Sequence, residues 1–212
     1  MGVTTKEVAD SSVEYYRQGL TQQETMERMK ATITYAKISG LTMQESTEII
    51  TAAANGTGES VNKIIDVFSN LGDQTASGAD EIGRAMQKTA ASAKTAGVPF
   101  ENLAAYIATV SSTTRESAET IGNSFKSLMA RYTSIKETGF NEEDTTKIND
   151  VTRALASVGI EAVDTMGNLK DFNVILEELG PRWDSLSKKE QQYLATTMGG
   201  KHICHRYMVT YN

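Results

Sequence analysis

Apolar residues recur along most of this chain at intervals of three and four, the spacing that gathers them on one face of an α-helix. Val61, Ile64, Ile65 and Phe68 follow that rule, as do Phe100, Leu103, Ile107 and Val110. A longer stripe runs through Ala118, Ile121, Phe125, Leu128 and Tyr132, and another through Ile148, Val151, Leu155 and Val158. Ile82, Met86, Ala93 and Ala96 mark a helix of small residues between Gly78 and Gly97. The pattern predicts helices over 5–18, 22–38, 42–54, 60–70, 79–96, 99–111, 116–133, 144–158, 172–179 and 188–198.

Helix start signals agree with those spans. Thr21-Gln22-Gln23-Glu24 reads as a capping box, in which hydroxyl and carboxylate satisfy each other's orphan backbone amides. The same spacing returns at Thr42 to Glu45, Thr113 to Glu116 and Ser187 to Glu190. Pro99 is expected at a first helical position, where a missing N–H costs nothing. Gly19, Gly40, Gly97, Gly139 and Gly159 each follow a periodic segment, as left-handed C-caps do. Asn55-Gly56-Thr57-Gly58 reads as a loop.

Gly19-Leu20-Thr21-Gln22-Gln23-Glu24-Thr25 is echoed by Gly40-Leu41-Thr42-Met43-Gln44-Glu45-Ser46, and more loosely from Gly97 to Leu103. A duplicated hairpin and convergent helix punctuation explain this echo equally well. Either way the expected fold is predominantly all-α: short helices packed as an irregular bundle or solenoid of helical hairpins. One small β-hairpin is expected at 160–171. There Ile160 to Val163 alternate, Met166-Gly167-Asn168 turns, and Leu169 to Asp171 return.

Composition narrows the function. The 212 residues carry a net charge of −6, and their Lys and Arg are scattered along the chain without a patch, which argues against a nucleic-acid partner. Aromatics make up only 7%, so small side chains must fill many packing positions in a thin core. No apolar run is long enough to span a membrane. The single cysteine, Cys204, rules out an internal disulfide.

Catalytic, cofactor and metal sites are not expected. His202, Cys204 and His205 crowd the last eleven residues, and adjacent positions without further ligands make a poor metal site. Glu142-Glu143-Asp144 read as anions favoured at a helix N-terminus. Glu177-Glu178 lie opposite the stripe of Phe172, Ile175, Leu176 and Leu179, as a solvated face would. A glycosidase would need such carboxylates at a set separation in a cleft. Gly199-Gly200-Lys201 lacks the spacing of a phosphate-binding loop. Tyr15-Tyr16 and Trp183 are either partner anchors or, more ordinarily, closures of the core.

The succession from Gly40 to Lys201 resembles the conserved domain of phage tail tape measure proteins. Lys94-Thr95-Ala96-Gly97-Val98-Pro99-Phe100-Glu101-Asn102-Leu103 is similar to that family's A-G-V-x-x-E-x-L entry into a helix. Glu116 to Arg131 resemble its next helix, with a terminal Leu-Met-x-Arg at Leu128 to Arg131. Asp164-Thr165-Met166-Gly167-Asn168-Leu169 fits its D-x-x-G-N-L turn, and Trp183 to Ser187 and the Gly199-Gly200 stop complete the likeness.

The resemblance implies a non-enzymatic scaffold in the virion tail, present in the host cytoplasm during assembly. It sets tail length and templates the tail tube, with tube subunits and tail assembly chaperones as partners and self-association as a further contact. No catalytic residues carry over. The alternative is a stand-alone helical protein–protein interaction module; a third reading, a cell-wall hydrolase, lacks an internal His or Cys. The expected organisation is an N-terminal hairpin at 1–40, a tape-measure-like domain at 41–200 and an irregular tail at 201–212. The change of character after Lys201 points to a frameshifted or truncated end, which would leave Tyr193, Leu194 and Met198 partly exposed.

Overall fold

The computed structural model describes residues 4–134 and 149–199 of the chain. Among these, ten α-helices follow in order: α1 (Thr5–Arg17), α2 (Gln22–Ser39), α3 (Met43–Thr57), α4 (Val61–Gln74) and α5 (Ala79–Thr95). Then come α6 (Phe100–Thr114), α7 (Ala118–Thr133), α8 (Asp150–Ala156), α9 (Phe172–Leu179) and α10 (Lys188–Gly199), with a 3-10 turn at Gly180–Ser185. The all-α expectation holds for the described residues.

The reason these segments start where they do is local. Thr4, Thr21 and Thr42 each accept from the backbone N–H three residues on, while Glu7, Glu24 and Glu45 reach back to the cap's own N–H. Ser187 and Glu190 exchange the same pair of bonds ahead of α10. Two of the four expected boxes thus precede α2 and α3, one precedes α10, and Thr4 adds one that the pattern had not singled out. Thr113 is the exception, because α6 continues to Thr114. The Thr113 and Thr114 hydroxyls donate back to the carbonyls of Thr109 and Val110, and Ser117 caps α7 instead. Pro99 likewise stands one residue earlier than expected, as the N-cap of α6.

Helix α5 sits at the centre, packed against α3, α4, α6 and α7. Its buried positions are mostly small: Ala79, Gly83, Ala85, Thr89, Ala90 and Ala93 beside Ile82 and Met86. Small residues let backbones approach closely, and two glycines on the neighbours take the approach further. A Cβ on Gly56 of α3 would lie 2.7 Å from Ala90 Cβ, and one on Gly122 of α7 would lie 2.7 Å from the Ala85 carbonyl oxygen. The expected loop at Asn55 to Gly58 is therefore corrected. Asn55, Gly56 and Thr57 complete α3, and the chain turns only at Gly58, which is left-handed with φ +83°. Gly56 is a packing glycine there, not a turn glycine.

One apolar core runs from Ala31 to Met198 and includes the four stripes read from the sequence wherever they fall on described residues. Its aromatics form a chain of tilted rings, with Tyr35 to Phe68 at 5.5 Å and Phe68 to Phe100 at 5.8 Å. A smaller cluster of Tyr15, Met29, Ala36 and Met43 lies under α1, edged by Val8, Leu20 and Ile33.

The expected β-hairpin at 160–171 is not formed. A single antiparallel bridge joins Val163 and Leu169, closed by Asp164 N–H to Asn168 C=O at 2.8 Å and Lys170 N–H to Ala162 C=O at 2.9 Å. The side chain of Asp164 accounts for the shortfall. It accepts from the backbone N–H groups of Met166 and Asn168, winding the segment into a tight turn rather than extended strands. Of the helix expected at 144–158, α8 covers Asp150–Ala156; Ile148, Gly139 and the 201–212 tail lie outside the described residues.

Candidate functional site

An open cleft of about 930 Å³ lies between α1 and α3. Glu7, Asp10, Glu14 and Gln18 line it from α1 and the turn after it, at intervals that put them on one helix face; Gln44, Thr47, Glu48 and Thr51 line it from α3. Four carboxylates and no Lys or Arg face this space. The signal was present in the Glu7, Asp10, Glu14 spacing, but without a cation or nucleophile in the pattern it named no chemistry.

Of the cleft carboxylates, Glu7 is a helix cap, and its electrostatics match those of the other capping glutamates. Glu7 is held below the ordinary carboxylate range, first by the Thr4 hydroxyl and then by the Thr4 backbone N–H. Glu24 and Glu190 are lowered in the same way by Thr21 and Ser187. Glu45 falls furthest, to about 2, because the Arg84 guanidinium donates to it at 2.7 Å in addition to Thr42. A general acid needs the opposite displacement, a carboxyl raised by burial. Among the described residues no three or more His, Cys, Asp or Glu gather as metal ligands. No described helix is long and apolar enough to cross a membrane.

The aromatic candidates divide. Tyr15 is wholly buried, its hydroxyl 2.6 Å from the Thr32 hydroxyl, so it closes the small cluster under α1. Tyr16, beside it in sequence, is 52% exposed. Trp183 is buried in the 3-10 turn, and its carbonyl accepts from the Gln191 side chain at 2.7 Å. Glu177 and Glu178 do not converge on a cleft. Glu177 accepts from Asn173 at 2.7 Å, and Glu178 stands 3.8 Å from Lys170. Glu142, Glu143, Asp144, Lys201, His202, Cys204 and His205 lie outside the described residues. Tyr193 is 49% exposed, but Leu194 and Met198 are buried, so the exposure expected of all three is confined to Tyr193.

Asn173 is a buried polar residue that sequence reasoning missed and that joins distant elements. Its side-chain oxygen accepts from Asn102 and from the Tyr106 hydroxyl, both at 2.9 Å, tying α9 to α6. On the helix wheel it falls next to the Phe172 stripe, so only its partners on α6 reveal it.

Comparison with known families supplies the identity. The model of a family described as phage-related minor tail protein matches residues 1–200. The chain therefore belongs to that family of phage tail structural components. No solved structure matches it significantly.

Proposed function

We propose that this member of the phage-related minor tail proteins is the helical scaffold region of a tape measure protein, which sets tail length and templates assembly of the tail tube. The family match over residues 1–200 carries the tail role. The ordered motifs from Lys94 to Gly200 support the finer reading, and the geometry of two of them fits it. Gly97 takes the left-handed conformation, φ +68°, that an A-G-V entry into α6 requires. Asp164 organises the D-x-x-G-N-L turn through its bonds to Met166 and Asn168.

The protein works by contact and not by catalysis. Its partners are tail tube subunits and tail assembly chaperones, with self-association along the scaffold. It resides in the virion tail, after assembly in the host cytoplasm. Residues 1–40 form an N-terminal hairpin ahead of the scaffold at 41–200; α1 sits on a small apolar cluster that includes Met43, and Ala31 and Tyr35 of α2 join the main core. Co-expression with the tube subunit and the chaperone encoded beside it tests this reading. A complex that co-purifies is the expected result; a monodisperse monomer that ignores both proteins would favour the independent interaction module.

A further inference from the structure

Helix α1 is seated differently from the helices of the main core. Only Ser11 and Tyr15 of its 13 residues are buried. Its contacts with α2 and α3 include two buried hydroxyl pairs: the Tyr15 hydroxyl on Thr32 at 2.6 Å, and the Ser11 hydroxyl 3.0 Å from that of Thr47. The apolar part is the small cluster of Tyr15, Met29, Ala36 and Met43, separate from the main core. The Arg28 guanidinium stands 6.0 Å from the Tyr15 ring centre, at the outer limit of a useful cation–π contact.

Two features oppose the seating. Glu7, Asp10 and Glu14 share a cleft with Glu48, and no cation is among the residues that line it, so negative charge accumulates at this interface. Arg17, at the end of α1, stands 3.9 Å from Glu14 with both side chains mostly exposed. The Gln18 side-chain oxygen is enclosed without a hydrogen-bond partner. The connector beyond it turns at Gly19, left-handed at φ +78°, with nothing within 4 Å of its Cβ position. The start of α2 is held by its own Thr21–Glu24 box, so α2 keeps its first turn without α1.

We propose that α1 is a releasable latch. It leaves α2 and α3 as one unit about Gly19 and uncovers the strip built by Met29, Ala36 and Met43, while α2 to α10 stay folded. Release is governed by carboxylate repulsion across the cleft, so screening closes the latch.

Hydrogen exchange with mass spectrometry on the full chain, at low and high salt, tests this. The α1 amides should exchange together and at least ~100-fold faster than those of α5, as a separate cooperative unit does. High salt should slow α1 several-fold while leaving α5 unchanged, and Asp10→Asn with Glu48→Gln should do the same at low salt. A Ser11→Cys, Thr47→Cys disulfide in a Cys204→Ser background should bring α1 protection up towards that of α5. Three results would overturn the latch: exchange of α1 in step with α5, a gradient of fraying from Thr5 inward, or indifference to both salt and the charge substitutions.

Discussion

The carboxyl group of Asp171 stands where a side chain on Gly97 would begin. A Cβ on Gly97 would lie 2.7 Å from Asp171 Cβ, with the carboxylate closer still. Next to it, Phe172 N–H donates to the Ala96 carbonyl at 2.7 Å. This contact fastens the start of α9 onto the turn between α5 and α6, and the Asn173 bonds to Asn102 and Tyr106 extend the seam. Gly97→Ala therefore meets two obstacles, the positive φ and Asp171. It should cost about 2–4 kcal/mol in chemical denaturation. Adding Asp171→Ala, whose side chain makes no capping bond, removes the carboxylate but keeps the Cβ 2.7 Å away, so it should recover only part of the steric cost.

Gly83 and Tyr35 make a second such pair. Tyr35 donates its hydroxyl to the Ala79 carbonyl at 2.8 Å, and a Cβ on Gly83 would sit 2.9 Å from Tyr35 Cζ and 3.0 Å from Ile49 Cγ2. Replacing an exposed mid-helix glycine by alanine usually gains up to about 1 kcal/mol. Here Gly83→Ala should instead lose about 2 kcal/mol by overpacking. Tyr35→Phe alone should cost about 1 kcal/mol for the lost hydrogen bond. The double variant should cost less than the sum, because removing the hydroxyl relieves the clash; thermal denaturation of all four proteins measures the coupling.

Asn149 is irreplaceable by its acid. Its amide nitrogen donates to the carbonyls of Tyr132 and Ser134, each at 2.7 Å, and its oxygen accepts from Thr152 N–H at 2.9 Å, all with the residue 1% exposed. Asn149→Asp turns the donor into a carboxylate facing two carbonyl oxygens. A loss of about 3 kcal/mol or more is expected at neutral pH, read by chemical denaturation, and a smaller one at low pH where the carboxyl is protonated.

These pairs also show where the sequence was legible. Helix positions followed from caps that act within three residues, so Thr21, Thr42 and Ser187 could be read directly. Thr113 carried the same letters, but its hydroxyl donates back to the Thr109 carbonyl and α6 runs on to Thr114, so no helix starts there. Gly56 looked like a turn because its sequence neighbours are turn residues. Its role is set by Ala90, more than thirty positions away, and close approach between helices leaves no local mark. The bond geometry of Asp164 likewise decided against strands at 160–171 through side-chain acceptance that an alternating pattern does not encode. The acidic cleft was written in the α1 periodicity, but its facing wall on α3 was not.

Acid should unfold the protein through its caps. Glu45, with a carboxyl held at about 2 against an ordinary 4.5, contributes stability that is fully present above pH 4.5 and lost as pH falls towards 2. Glu7, Glu24 and Glu190 are displaced in the same direction and act over the same side of the scale. Glu45→Gln should cost about 1 kcal/mol at pH 7, since its partly exposed pair with Arg84 is screened by water. Its stability should converge with that of the unaltered protein near pH 2. Denaturant midpoints taken at intervals from pH 7 to pH 2 would follow both curves.

The scaffold reading is tested most directly by tail length. An in-frame insertion of a ~40-residue helical segment into the gene, in the phage that carries it, adds ~60 Å of helix at ~1.5 Å per residue. If the protein is the ruler, electron micrographs of purified tails should show a single length distribution shifted upward by about that amount. Tails of unchanged length that still contain the enlarged protein would contradict the account and leave the chain a minor tail component that does not measure.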